Sequence, residues 1–500
     1  MTSRIFDIAI IGGGVNGTGI ARDAAGRGLS VYLAEKSDLA SATSSASTKL
    51  IHGGLRYLEQ YDFKLVRDAL KEREVLLAMA PHIISPLRFV LPHNKGLRPA
   101  WMIRIGLFLY DHLGGREYLP GSYAVDLKAD DAGHSLNDTF IKGFEYSDCR
   151  VDDSRLVVLS AQDAKEKGAD IRTRTEVISA TKLTDYWEIE TDNLITGEKQ
   201  TIWANILVNA SGPWVNEIIS KAIGRDNSYA IRLVKGSHIV VPKIFDHDRA
   251  YIFQNQDRRI IFAIPYQDEY TLIGTTDLDF QGDPAAVKIT DQEIDYLCSA
   301  ASEYFINPVS NDQVVWSYSG VRPLFDDGVS AAQETTRDYQ LEVLGRTNEP
   351  ALMNVYGGKL TSYRHLAEVA LTKLSPWLPR NTGKWTKSSH LPGGDFPMDG
   401  FQAFFSSLQI AYPSLPEKML RRLALQFGTR IHKVLGERKT TDDLGQCFGG
   451  NLYQFEVEYL IEHEWAITAE DILWRRTKTG LSFTDNQIAA LSDWLKTCNA

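Results

Sequence analysis

Gly12-Gly13-Gly14-Val15-Asn16-Gly17 fits the pattern G-x-G-x-x-G. In such a turn Gly12 permits the tight bend, Gly14 lets backbone approach a pyrophosphate, and Gly17 allows the following helix to pack close to its sheet. The helix start adds N–H donors and partial positive charge for the phosphates. Glu35 lies 18 residues after Gly17. A carboxylate at that position accepts ribose hydroxyls and repels a 2′-phosphate, which points to FAD or NAD rather than NADP. The spacing alone does not separate those two.

Four further residues suit a second, smaller substrate. His52 and Arg56 stand four apart around Gly53-Gly54, a spacing that puts both on one side of a helical turn. Arg322 sits in Gly320-Val-Arg-Pro323, where the proline restrains the residue before it and fixes the aim of the guanidinium. Lys359 follows Gly357-Gly358. An arginine fork and an ammonium suit a phosphate dianion. A histidine, with an ordinary pKa of ~6.5, moves a proton near neutral pH. His238, in Lys235-Gly-Ser-His on a predicted strand, competes with His52 for that task or is a core residue.

The elements that must position these residues follow from apolar patterning. Ile5–Ile11 and Val31–Ala34 are short buried-strand runs, and Gly17–Arg27 between them has a helical apolar face, so the three form a parallel βαβ unit. Arg67–Met79 reads as a helix stopped by Pro81. Leu233–Val241, Arg259–Pro265 and Tyr270–Gly274 are β-rich and separated by polar turns, as in an antiparallel sheet. Asn205–Asn209 and Met353–Tyr356 are isolated buried-strand runs, each followed closely by glycine. A Gly- and Pro-rich break falls between Arg380 and Gly400. Beyond it Pro416–Phe427, Phe455–Trp465 and Ala469–Lys478 have helical spacing and form a separate domain.

The 500 residues are enough for about three domains. With 43% hydrophobic and 24% charged residues the chain is globular, not disordered or fibrous. A net charge of −10 argues against nucleic acid as a partner. Cys149, Cys298, Cys447 and Cys498 form no C-x-x-C pair and have no zinc spacing, so no metal is expected and the thiols fit a reducing compartment. The N-terminus lacks the pattern of a secretory leader. No apolar run reaches the ~18–20 residues that span a bilayer; the nearest, Trp101–Tyr110, is short and contains Arg104.

Ser41–Tyr57 reads SATSSASTKLIHGGLRY. Together with the N-terminal fingerprint, Lys235-Gly-Ser-His238, Gly274-Thr-Thr-Asp277, Ser319-Gly-Val-Arg-Pro323 and Gly357-Gly-Lys-Leu-Thr361, it resembles the FAD-dependent glycerol-3-phosphate dehydrogenases. The motifs run in order from residue 5 to about 385, and the helical tail looks like that family's C-terminal domain. The resemblance implies an α/β plus α architecture. A glutathione-reductase-like, FAD-binding Rossmann domain would take residues 1–82, 144–230 and 316–385. A substrate domain with an antiparallel sheet would take 83–143 and 231–315, and a helical domain 386–500.

The resemblance also implies site roles. Non-covalent FAD would rest its adenine half on Glu35 and on the turn of Gly12, Gly14 and Gly17. Thr43, Ser44, Ser45 and Ser47 would approach its middle, although such a Ser/Thr run also suits a flexible linker. Ala210 and Gly212 would close over it, and Gly358 and Thr361 would lie at the pyrimidine edge of the flavin. The reaction implied is oxidation of sn-glycerol 3-phosphate to dihydroxyacetone phosphate. Arg56 and Lys359 would hold the phosphate, His52 would be the base and Arg322 would stabilise the developing alkoxide. The rivals are an amino-acid oxidase on the same fold, which needs no Lys359, and a non-catalytic dinucleotide-binding scaffold.

Oxidases of the family pass electrons to O2 and carry an insert between the Gly-Val-Arg-Pro and Gly-Gly-Lys motifs. Here Arg322 and Lys359 are 37 residues apart, which leaves no room for it. A membrane quinone is therefore the expected acceptor, with the protein cytoplasmic and peripheral on the inner face of the cell membrane. Val75–Tyr110 contains no acid but holds Arg88, Lys95, Arg98 and Arg104. Arg98 and Arg104 would meet anionic head groups while Trp101, Met102, Ile105, Leu107, Phe108 and Leu109 enter the interface. The other reading of this window is a buried helix with a solvated basic face. Ile472–Thr484, with Arg475, Arg476 and Lys478, is a second basic stretch of that kind. The expected partners are thus glycerol 3-phosphate, a quinone and a lipid surface; a homo-oligomer is compatible with the composition.

Overall fold

Ile5–Ile11 is largely buried and pairs in parallel with Val31–Ala34 on one side and with Lys199–Asn209 on the other. Central parallel strands are covered on both faces, which is why they read as unbroken apolar runs. Helix Val15–Gly26 packs over them beside helices Asp153–Glu166 and Tyr363–Leu374. The two isolated runs are the ends of longer strands: Lys199–Asn209 pairs in parallel with Ala351–Tyr356. The order across this eight-stranded sheet is Gln340–Leu344, Ala351–Tyr356, Lys199–Asn209, Ile5–Ile11, Val31–Ala34 and Asp170–Arg172, with Trp187–Asn193 antiparallel to Lys199–Asn209 and Thr175–Lys182 antiparallel to Trp187–Asn193. The structure is a computed structural model that describes residues 4–94, 96, 98–226, 229–255, 257, 259–326, 338–379 and 383–498. Lys95 and Arg380 lie outside those residues.

The second sheet has ten strands. The three expected antiparallel strands are Ile231–Pro242, Ile260–Tyr266 and Tyr270–Gly274, each within a few residues of its predicted bounds. Three strands from the segments assigned by sequence to the FAD-binding domain also pair here: Leu50–Ile51, Lys142–Val151 and Trp316–Phe325. Trp316–Phe325 runs antiparallel to Ile231–Pro242 along its whole length, from Trp316 opposite Val240 to Phe325 opposite Ile231. The sheet thus carries residues near both sites.

Helix Ala100–Leu113 buries Leu107 and Tyr110 and exposes Trp101 (63%), Ile105 (52%) and Phe108 (54%). This overturns the expectation that Leu107 enters a lipid interface, because Leu107 faces the core with Tyr146 and Phe89. The outer face is mostly apolar rather than basic, with exposed Arg104 among its residues.

The C-terminal helices Phe401–Ala411, Glu417–Phe427, Gln454–Glu464 and Asp485–Cys498 enclose a core of their own that includes Leu408, Leu423, Leu460 and Leu491. The expected helix Ala469–Lys478 is shorter, a wide-turned helix over Asp471–Arg476. Its basic residues are not solvated. Arg475, Arg476 and Lys478 are all buried, the first two against Asp38 and the third against Ser154 and Asp152. An unpaired buried cation is costly, so a basic stretch finds either water or acids; here Asp38 and Asp152 come from far away in sequence, while Glu470 and Asp471 precede Arg475 directly. Arg155–Glu464, Arg174–Asp471 and Arg430–Glu166 also cross the seam between this domain and the rest.

Candidate active site

The glycine turn closes as its spacing demands. Gly12 has φ +110°, and a Cβ there would lie 2.6 Å from the Ala210 carbonyl oxygen. A Cβ on Gly17 would lie 1.9 Å from the Gly12 oxygen, so that residue is bare because helix and turn touch. Gly14 differs: its φ of −80° suits any residue, and its only close neighbour would be the Ser44 hydroxyl at 3.1 Å. The fold itself makes little demand for glycine at Gly14, and the bare Cα leaves the helix start open to a ligand. Val15 donates its N–H to the Ser44 hydroxyl at 3.0 Å. The Asn16 amide donates to the Gly357 carbonyl at 3.0 Å, while its Oδ1 is buried with no partner among the described residues. An open helix N-terminus beside an orphaned buried acceptor fits a bound dinucleotide.

Glu35 turns back onto the same loop. One carboxylate oxygen accepts from the Gly13 N–H at 2.6 Å and the other from the Ser37 N–H at 2.7 Å. Burial pushes its pKa up, against the pull of those two amides. The Ser/Thr run is ordered rather than a linker. Thr43 donates to the Val321 carbonyl at 2.6 Å, Ser45 donates to the Ala42 carbonyl at 3.4 Å, and Ser47 donates to Asp153 at 2.7 Å. Lys49 binds the same Asp153 at 2.9 Å. The Ser47 hydroxyl therefore ties the turn to helix Asp153–Glu166 instead of offering its proton to a ligand. The Ala210 N–H donates to the Ile11 carbonyl at 2.9 Å, and Gly212 takes φ +58° with open space at its Cβ position.

The loop after Ala351–Tyr356 meets this turn. Gly358 has φ +98°, and a Cβ there would lie 2.9 Å from the Asn16 amide. Buried Thr361 accepts the backbone N–H of His52 at 3.2 Å. The Lys359 ammonium stands 4.1 Å from the ring centroid of Tyr57, in the short helix Leu55–Gln60 that carries Arg56. His52, Arg56 and Lys359 thus come from segments in mutual contact. His52 and Arg56 do not share a helical turn: Gly54 at φ +75° separates them, and the helix begins only at Leu55.

Arg322 lies on Trp316–Phe325, opposite Val234. Its guanidinium donates to Asp277 at 2.5 Å and to the Thr275 hydroxyl at 3.3 Å. The strand is pressed on the Ser/Thr turn, since a Cβ at Gly320 would lie 2.7 Å from the Ala46 Cβ. His238 is wholly buried, stacked on Tyr318 at 4.8 Å and 3.0 Å from the Thr48 hydroxyl. Burial, with Arg322 and Lys49 nearby, drives its pKa well below the usual value and keeps it neutral.

Sequence reasoning gave no role to two acids here. Asp277 belonged to a quoted motif, but only the fold brings it to Arg322. Glu293 binds Lys235 at 2.5 Å and accepts from Ser237 at 2.7 Å and Thr276 at 3.0 Å, so one carboxylate gathers two of the motifs. The one signal for it was the helix-start pattern Thr290-Asp-Gln-Glu293, which closes as a capping box.

Residues 7–364 match the model of the FAD dependent oxidoreductase family, and residues 384–498 match that of the C-terminal domain of alpha-glycerophosphate oxidase. The chain is 50% identical over 489 residues to the aerobic glycerol-3-phosphate dehydrogenase of Escherichia coli K12, covering 98% of this chain and 97% of that one. The chain belongs to the FAD-dependent glycerol-3-phosphate dehydrogenase family. A second relative of this family member, the D-erythritol 1-phosphate dehydrogenase of Brucella abortus, is also 50% identical, over 99% of this chain and 98% of its own. The glycerol-3-phosphate dehydrogenase of Bacillus halodurans, solved with FAD, superposes with a TM-score of 0.76 at 27% identity, covering 99% of this chain and 95% of that one. The enzyme is an oxidoreductase, its cofactor is FAD, and the open turn at Gly14 with the orphaned Asn16 oxygen fits that cofactor.

Proposed function

We propose that the enzyme oxidises the C2 hydroxyl of sn-glycerol 3-phosphate to the ketone of dihydroxyacetone phosphate and delivers the electrons to a membrane quinone. The observation that supports this reading is that Lys359 lies over Tyr57, the chain neighbour of Arg56, while its loop bonds His52 through Thr361 and the glycine turn through Gly357. Gly12, Gly14, Gly17, Glu35, Thr43, Ser44, Ser45, Ala210, Gly212, Gly358 and Thr361 would hold FAD non-covalently, and when bound it would supply a two-electron acceptor. Arg56 and Lys359 neutralise the phosphate dianion and orient the substrate. His52, its backbone fixed by Thr361, removes the hydroxyl proton as C2 loses hydride. Arg322, aimed by Asp277 and Thr275, stabilises the growing negative charge on the C2 oxygen.

No helix among the described residues is long and apolar enough to cross a membrane. Attachment at the inner membrane face is therefore peripheral, through the stripe Trp101, Met102, Ile105 and Phe108, with Arg98 and Arg104 beside it. The short Arg322–Lys359 interval supports quinone over O2. The equal identity to an erythritol phosphate dehydrogenase supports one second reading, a longer phosphorylated polyol at the same site. Anaerobic titration of the flavoprotein separates them. Bleaching of the visible flavin absorbance is expected at lower concentrations of glycerol 3-phosphate than of D-erythritol 1-phosphate, and not with glycerol or amino acids. Preferential bleaching by the erythritol ester would assign the longer substrate, and bleaching by amino acids would overturn both.

A further inference from the structure

The C-terminal domain reaches the cofactor site at one loop. Residues 35–40 leave strand Val31–Ala34 with Glu35 bound to the Gly13 and Ser37 amides. Their far end returns to the same turn, where the Ala40 N–H donates to the Gly13 carbonyl at 3.2 Å. Between them Asp38 is 1% exposed. It accepts from Arg475 Nε at 2.6 Å and from Arg476 Nη1 and Nη2 at 2.8 Å each. Arg174 makes a second tie: its N–H donates to the Ser37 carbonyl at 2.9 Å, and its Nη2 donates to both oxygens of Asp471 at 2.8 Å. A carboxylate this deeply buried is stable only with such partners. The loop's shape, and with it the aim of Glu35, is therefore set by Asp471, Arg475 and Arg476 of the C-terminal domain.

We propose that the C-terminal domain is a positioning element for the adenosine end of the FAD site, acting through two ties to the loop 35–40, the clamp of Arg475 and Arg476 on Asp38 and the bridge of Arg174 to Asp471. This rests on the assignment of Glu35 and the glycine turn to FAD, and none of the clamp residues need touch the cofactor. The test compares wild type, Asp38→Asn and Arg174→Met as full-length holoenzymes. The dissociation constant of FAD is read from flavin fluorescence on dilution, that of ADP from its competition with FAD, and the KM for glycerol 3-phosphate is measured at saturating FAD. Asp38→Asn is expected to weaken FAD and ADP by the same factor, tenfold or more, with KM changed less than twofold. Arg174 is partly exposed, so Arg174→Met leaves the buried clamp intact and folds even if Asp38→Asn does not; it is expected to weaken both ligands at least threefold. A lower unfolding temperature with unchanged FAD and ADP affinity in Arg174→Met would overturn the proposal, as would weaker FAD with unchanged ADP. Failure of glycerol 3-phosphate to bleach wild-type flavin would instead overturn the substrate reading, leaving the ADP comparison to decide this one.

Discussion

Lys359 shows how a single cation acquires a role from its surroundings. Its ammonium lies over the Tyr57 ring, a contact that holds the charge without neutralising it. A charge-assisted hydrogen bond to phosphate contributes roughly 1.5–3 kcal/mol. Arg56→Ala and Lys359→Ala are therefore each expected to weaken glycerol 3-phosphate about ten- to a hundredfold with FAD still bound, as read by flavin bleaching. Unchanged substrate affinity in both would remove them from the phosphate site. Arg322 is held differently, by Asp277 and Thr275. Asp277→Asn loosens its aim without removing it, so kcat is expected to fall with a smaller change in KM, the reverse of the Lys359→Ala pattern.

Helix Ala100–Leu113 is amphipathic in an unusual sense, with apolar residues on both its buried and its exposed sides. The inner side packs in the core through Leu107 and Tyr110, and the outer side presents Trp101, Ile105 and Phe108. Its cations are partly engaged: Arg104 donates to Ser122 at 2.7 Å, and Arg98 stands 3.6 Å from Glu59. Apolar insertion should then outweigh head-group attraction. Trp101→Ser with Phe108→Ser is expected to reduce co-sedimentation with anionic vesicles more than Arg98→Glu with Arg104→Glu does. High salt should release the wild type incompletely and detergent fully. Quinone reduction on vesicles should fall with binding, while activity with a soluble dye is kept. Equal binding by the wild type and the serine variant would place the membrane contact elsewhere.

The whole molecule is held at the domain seam by buried charge, and one uncharged group there responds to pH. His82 is 2% exposed, neither ring nitrogen has a partner among the described residues, and a Cβ on Gly428 of the C-terminal domain would lie 3.0 Å from its ring. Burial first, then Arg155 nearby and Arg430 across the seam, lowers its pKa to about 3. The unfolded chain takes up this proton near pH ~6.5, the folded chain only near 3. Stability is therefore intact above that upper value and is lost as pH falls, by up to ~1.4 kcal/mol per pH unit from this one group. His82→Leu is expected to flatten the acid limb: in urea unfolding at pH 7, 6, 5 and 4, the variant should lose less stability per unit than the wild type. Parallel pH profiles would exclude His82 as a source of acid sensitivity.

The glycine turn, the flanking strands and the antiparallel sheet were legible in the sequence because each depends on local rules: bare backbone at fixed offsets, buried runs for parallel strands, turn chemistry between β-rich segments. Gly12 and Gly17 are glycine for contacts within a few residues or with the adjoining strand end. The order of motifs likewise carried the family. Local pattern could not say which residue meets which across the chain. Arg475, Arg476 and Lys478 have the composition of a solvated or membrane-facing stretch, yet they are buried because Asp38, Asp152 and Ser154 arrive from the first domain. Leu107 and Phe108 are neighbours with the same preference, and only packing sends one inward and the other out. Asp277 becomes the partner of Arg322, and Glu293, from helix Asp291–Ser302, the anchor of two motifs, through the packing of distant segments. Charge and apolar character are properties of a residue, whereas burial and pairing belong to the neighbours that the tertiary fold supplies.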